Sequence, residues 1–277
     1  MSGFSPEWLA LREPVDHRSR SNDIAQALAA RFQKQQRVAV VDLGCGAGSN
    51  LRATASLLPP VQSWTLVDFD AALLVAAQKT LTDWADRVET GVDGLVLDKD
   101  GKRITVQFRR ADLNHDLNSV LGPKPDLVTA SALFDLCSPT FIKAFARAVA
   151  ARRAVFCTVL TYNGIQRWTP RQPSDGAMIA AFHAHQMTDK GFGPSAGPTA
   201  PAHLADAFRL SGYSVLEGES PWELSAGNID LVRNLASGFA DAVAETGKVD
   251  AKAIDAWRRA VHTGAVVGHT DTLATPA

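Results

Sequence analysis

The 277-residue sequence predicts a doubly wound α/β fold on a mainly parallel, seven-stranded sheet with helical additions. Three observations carry this expectation. From about residue 22, helix-period and strand patterns alternate along the chain. Short apolar runs such as "VAVV" and "WTLVDF" have the length of buried strands. The first of these strands turns into a helix through glycines at alternate positions, Gly44, Gly46 and Gly48.

Taken in order, residues 1–35 are expected to form N-terminal cap helices. In "SNDIAQALAARF", capping residues precede Ile24, Leu28 and Phe32, which share one helix face. "RVAVVDLG" is the first strand, followed by a helix over roughly 49–58 that stops before Pro59-Pro60. "WTLVDF" is the second strand, and Asp70 is placed to cap the helix after it. "VDGLVLDKDGKRITVQFRRADL" reads as two strands around a "DKDGK" turn, the second arm joining the main sheet. "PDLVTASALF" is the fourth strand and its exit loop. Ser138 and Pro139 then open a helix, and "AVFCTVLTY" is the fifth strand. Residues 162–200, rich in glycine and proline, hold one short helical pattern and read as a lid or binding loop. A helix at "PAHLADAFRLSGY", the strand "YSVLEG", helical patterns over 228–245 and 250–262, and a final strand "GAVVGHTDTLATP" complete the chain.

Composition narrows the function classes. Apolar residues make up 46% and charged residues 21%, as in a soluble globular protein, and the longest apolar runs are too short to cross a bilayer. The N-terminus lacks the basic start and apolar stretch of a secretory signal. With 28 basic and 29 acidic residues the net charge is −1 and well mixed, which argues against a nucleic-acid partner. Cys45, Cys137 and Cys157 lack metal-ligand spacing and read as buried thiols of a cytoplasmic protein.

The glycine turn asks what approaches bare backbone so closely. A dinucleotide fingerprint needs G-x-G-x-x-G, but in either register the third position falls on Ser49 or Leu51. The pattern is D-x-G-x-G-x-G, with Asp42 at the strand end. Here "VVDLGCGAG" resembles the first motif of the class I S-adenosylmethionine-dependent methyltransferases, and the resemblance extends over about 36–160 and, more loosely, over 200–220 and 264–274. It implies a Rossmann-like methyltransferase fold with S-adenosylmethionine as cofactor. Gly44, Gly46 and Gly48 would admit the cofactor, Asp42 would face its ammonium, and Asp68 would accept from both ribose hydroxyls. Phe69 would pack on adenine, while Asp112 and the Leu113 amide would address the adenine edge. Ser131, at the fourth strand end, joins this cofactor set, and Arg20 is assigned to the methionine carboxylate. Asp112 has a second reading, as the cap of a helix.

The acceptor side is read from the fourth-strand exit, "TASALFDLCSP". It lacks the N/D-P-P-Y/F motif of enzymes acting on planar amino groups, and Cys137 lacks the Pro-Cys context of cytosine C5 enzymes. Asp135 is the candidate that orients or deprotonates the acceptor; capping the next helix is its other reading. The fifth-strand exit "LTYNG" offers only Asn163 where metal-dependent relatives carry an Asp-Asn pair, so no metal is expected. Of His183 and His185, His185 is preferred as a base. Lys190 and the "GFGP" turn suggest a lid over an anionic acceptor. Ile229, Val232, Leu235 and Phe239 lie on one helix side, as part of that lid or as the face of a homodimer.

The chain is thus expected to be one methyltransferase domain. Residues 36–160 form the cofactor core, 161–200 the lid, and 201–277 the rest of the sheet with a helical insertion at about 228–262. It would methylate a small molecule at oxygen, nitrogen or carbon, with no nucleic-acid or membrane partner. The competing expectations are an RNA or protein methyltransferase, a non-catalytic S-adenosylmethionine-binding scaffold, and a nicotinamide oxidoreductase.

Overall fold

The computed structural model describes residues 5–91 and 94–277. Two helices open the chain, α1 (Pro6–Ser19) and α2 (Asn22–Phe32). Ser5 caps α1 by accepting from the Trp8 amide, and Pro6 sits where no amide partner is needed. Helix α2 buries Ile24, Leu28 and Phe32, the stripe its 3.6-residue period predicts.

Strand β1 (Arg37–Leu43) leads through the glycine turn into α3 (Ser49–Thr54), which tightens into a 3-10 turn at Ala55–Leu57. Strand β2 (Val61–Asp68) and helix α4 (Ala71–Trp84), capped by Asp70, follow. Strands β3 (Arg87–Gly91), β4 (Gly94–Lys99) and β5 (Lys102–Arg110) form an antiparallel ribbon at one sheet edge. The "DKDGK" turn is found where expected; Val92 and Asp93, at the start of the expected arm, lie outside the described residues.

Helix α5 (Leu113–Leu121) leads to β6 (Leu127–Ser131), α6 (Pro139–Ala151) and β7 (Val155–Thr169). Next come α7 (Asp175–Gln186), α8 (Ala200–Leu210), β8 (Tyr213–Glu219) and β9 (Trp222–Leu224). Helices α9 (Ile229–Thr246) and α10 (Ala251–Arg259) precede the last strand, β10 (Gly264–Pro276).

The sheet order is β3-β4-β5-β2-β1-β6-β7-β10-β8, with β9 also paired to β10. Seven of these strands, β5-β2-β1-β6-β7-β10-β8, are the expected seven, and only β10 among them runs antiparallel to its neighbours. Strands β3, β4 and β9 extend the sheet to ten among the described residues. Successive strands leave β1 in opposite directions, β2 on one side and β6 on the other. A crevice therefore opens at the carboxyl end of β1, where open α/β sheets bind ligands.

Two expectations are corrected. The segment 161–200 is not irregular from its start, because β7 continues to Thr169. Leu160 takes a left-handed φ of 58°, and the β7–β10 register shifts nearby, so the strand bends and keeps pairing past the sheet edge. The apolar side of α9 is not a free dimer face. Val232 and Phe239 are buried inside the chain with Trp168, Phe182 and Trp257, in a cluster where α1, α7, α9 and α10 cover the extended halves of β7 and β10.

Candidate functional site

The turn after β1 is shaped by backbone that only glycine adopts easily. Gly44, Gly46 and Gly48 have φ of 61°, 52° and 77°. A Cβ at Gly46 would lie 3.1 Å from Leu9 Cδ1 of α1, and one at Gly44 would lie 3.3 Å from Leu133 Cδ1. Arg52 secures the turn from behind by donating to the Ala47 carbonyl, which also accepts from Thr80 Oγ1.

Asp68, at the tip of β2, faces this turn. Its Oδ2 accepts from the Gly46 amide at 2.9 Å, and its Oδ1 accepts from the Asp70 amide at 2.9 Å. Burial raises its pKa, and these two amides offset part of the rise. Phe69 is 47% exposed beside it, with the Arg110 guanidinium over its ring. Asp112 caps α5, its Oδ1 accepting from the Asn114 amide at 2.9 Å, so the helix-cap reading holds locally. Leu113 is buried at the first position of that helix, and Ser131 ends β6 on the near side of the crevice.

Asp42 is fully buried beneath the turn. Its Oδ1 accepts from Asn50 Nδ2 at 2.7 Å, while Oδ2 has no partner. Burial pushes its pKa up to about 7, with Asn50 and the Arg20 cation working against the shift. Arg20 lies among acids: it donates to Thr54 Oγ1, its Nε is buried without a partner, and Asp271, Asp16 and Asp42 all attract its charge. Asp42 and Arg20 are therefore charge partners under the turn.

Helix α1 is fastened over the turn by charged side chains. Glu13 accepts from Arg52 Nε at 2.8 Å, and His17 Nε2 lies 2.9 Å from Ser49 Oγ. Arg12 pairs with Asp16 at 2.8 Å and stacks over Trp222, whose indole donates to Asp16. Four residues separate Arg12, Asp16 and Arg20, one face of a helix. That spacing was the available signal for a docked charged face, and the sequence reading used only Arg20.

The fourth-strand exit carries Asp135 on a 3-10 turn (Phe134–Leu136). The residue is 8% exposed, its Oδ1 lacks a partner, and burial pushes the pKa up to about 6. Ser138, not Asp135, caps α6. The Asp135 charge reaches Tyr162 of β7 and helps raise the phenol pKa. Tyr162 Oη is 3.0 Å from His183 Nε2, and its ring meets those of Phe182 and His269. Burial lowers the His183 pKa. His183 thus joins Asp135's neighbourhood. His185 does not: its Nε2 pairs with Glu245 at 3.0 Å, and Lys190 Nζ lies 3.2 Å away. Lys190 is engaged there too, so it is not a free cation awaiting an anionic acceptor.

The "GFGP" segment closes onto the other end of the crevice. The Gly191 carbonyl accepts from Asn114 Nδ2 at 2.7 Å, Phe192 packs on Phe141, and the Ala196 amide donates to the Cys137 carbonyl. It bridges the start of α5 to the loop before α6. A cavity of about 560 Å³, lined by Ser63, Thr65, Gln107 and Arg109, opens in mid-sheet away from the glycine turn and shares none of these residues. Among the described residues, no cluster of three or more His, Cys, Asp or Glu side chains is placed to hold a metal, and no helix is long and apolar enough to cross a membrane.

No protein-family model and no curated protein matches this sequence. Solved structures do match in shape. A cyclopropane-fatty-acyl-phospholipid synthase-like protein of Lactobacillus casei is 14% identical, with a TM-score of 0.52 over 95% of this chain and 98% of that one. A proposed methyltransferase of Bacillus halodurans is 9% identical, with a TM-score of 0.52 over 91% and 99%. The cyclopropane synthase MmaA2 of Mycobacterium tuberculosis is 10% identical, with a TM-score of 0.50 over 99% of both chains. At such identities the likeness establishes the fold: the chain has the Rossmann-like class I methyltransferase fold.

Proposed function

We propose that the chain binds S-adenosylmethionine across the carboxyl ends of β1, β2 and β6 and directs its methyl group to a small organic acceptor. The observation that carries this reading is the Asp68 carboxylate bonded to the Gly46 amide. It couples an acid at one strand tip to a turn of bare backbone at the next. The fit rests on this chain's own atoms: three left-handed glycines, and unpartnered buried atoms on Asp42 and Arg20.

Gly44, Gly46 and Gly48 would pass under the methionyl chain. Asp68 keeps lone pairs free for two ribose hydroxyls, and Phe69 offers its exposed ring to adenine. Asp112 and the Leu113 amide would meet the adenine edge, and Ser131 would border the sulfur. Asp42 serves the ammonium at one remove, through Asn50 or water, because its carboxylate is sealed under the turn. Arg20 supports that acid; as a carboxylate grip it would use its unpartnered Nε. Leu9 and Leu133 would wall the crevice against water. The bound cofactor supplies a methyl on a positively charged sulfur, already activated for displacement. The protein's task is then alignment, which contributes about 7–11 kcal/mol in well-oriented reactions. Asp135 would hold or take the acceptor's proton, and buried acids around the crevice match a cationic ligand in sign.

The test is incubation with methyl-labelled S-adenosylmethionine and a fractionated cell extract. Label in the small-molecule fraction supports the proposal. Label in RNA or protein moves the activity to those acceptors, and binding without transfer to any fraction indicates a scaffold.

A further inference from the structure

Around Asp135 the chain leaves buried polar atoms unsatisfied while providing aromatic walls. Asp135 Oδ1 is buried without a donor, and His269 Nδ1 is buried without a partner. His269 is held neutral, its pKa pushed down to about 3 by burial and by the Arg12 charge. Arg12, whose charge reaches Asp135, is bonded to Asp16 at 2.8 Å. A buried carboxylate oxygen without a donor is costly, so a ligand that donates there is favoured and one that brings a second negative charge beside Asp135 is rejected.

The wall beside Asp135 is built of packed rings. The Tyr162 hydroxyl is tied to His183, and the Tyr162 ring lies edgewise to Phe182 at 6.0 Å and to His269 at 6.4 Å. A flat apolar body packs well against such rings.

We propose that Asp135 and Tyr162 select an uncharged aromatic acceptor whose nucleophile carries its own hydrogen, a phenol or an aromatic amine. This rests on the methyl-transfer reading of the same crevice. The acceptor's O–H or N–H donates to Asp135 Oδ1. As the acceptor's lone pair bonds to the methyl carbon, the carbon–sulfur bond breaks with its electron pair passing to sulfur. The sulfonium becomes a neutral thioether, and the acceptor's proton ends on Asp135. Charge and atoms balance without an oxidant or a metal.

The test is binding of four probes, phenol, aniline, anisole and benzoate, to the full chain saturated with S-adenosylhomocysteine, followed by ligand-observed NMR titration. Phenol and aniline are expected to bind at least tenfold more tightly than anisole, which lacks the donor, and benzoate is expected to bind most weakly. Asp135→Asn should narrow the phenol-to-anisole ratio at least threefold while leaving S-adenosylhomocysteine affinity unchanged. Tyr162→Leu should weaken phenol and anisole alike, since it removes the wall and not the acceptor atom. Equal affinity for phenol and anisole, or preference for benzoate, overturns the proposal while leaving the cofactor site standing. Failure of S-adenosylhomocysteine itself to bind overturns the methyl-transfer reading instead.

Discussion

Asp42→Asn is the substitution whose consequence follows most directly from the structure. The side chains are equal in size, and the amide oxygen can still accept from Asn50 Nδ2. What is lost is a fully buried acid whose pKa rises from 3.8 to about 7. In the window between these values the folded chain keeps a proton that the unfolded chain has released. Stability therefore falls as pH rises from about 4 to about 7 and levels off above that. A rise of this size corresponds to about 4 kcal/mol. Asp16, Asp68, Asp135 and Asp271 also have raised pKa values, and their contribution is common to both proteins. The difference between wild type and Asp42→Asn isolates the one group. Urea unfolding at pH 4, 5, 6, 7 and 8 should give nearly equal stabilities at pH 4. By pH 8 the variant should be the more stable by about 3–4 kcal/mol. Parallel curves over the whole range would refute the burial argument, because Asp42 would then ionise as it does in the unfolded chain.

Other perturbations test the crevice and its cover. Asp68→Ala should weaken S-adenosylhomocysteine binding by about 1–3 kcal/mol in a calorimetric titration, and an unchanged affinity would remove Asp68 from the ribose site. Gly46→Ala places a methyl 3.1 Å from Leu9 Cδ1 on a left-handed residue. It should lower stability by about 1–2 kcal/mol and cofactor affinity at least tenfold; wild-type values for both would show that the turn needs no glycine there. Glu13→Gln breaks the ion pair to Arg52 and should speed amide exchange in α1, whereas unchanged protection would mean that packing alone holds the helix. Cys45, Cys137 and Cys157 are buried with raised thiol pKa values, so all three should react with a thiol reagent only at the rate of unfolding. One fast-reacting thiol would contradict the packing.

The parallel core was legible because strands buried on both faces are short apolar runs, and helices such as α4 and α6 begin with the capping residues Asp70 and Ser138. Strand β3, "RVETG", was not legible, since an exposed edge strand needs no apolar alternation. Strand β9 is three residues long and forms only against β10. The continuation of β7 past Tyr162 depends on the bend at Leu160, a backbone feature with no residue signature. At the site, the glycine turn and Asp68 could be read because backbone approach and strand-tip acids leave local patterns. The acceptor end could not. His183 and His185 point to different sides of α7, and only the packing of that helix on β7 decides which faces Tyr162. Helix α1 was expected as part of a cap, but local sequence does not reveal that its Arg12, Glu13, Asp16 and His17 find partners from distant parts of the chain.

The most direct measurement is a calorimetric titration of the purified chain with S-adenosylhomocysteine and, separately, with NADH. Saturable heat at one site per chain is expected for the first and none for the second. NADH binding with no heat from S-adenosylhomocysteine would contradict the assignment of the glycine turn and the Asp68 carboxylate.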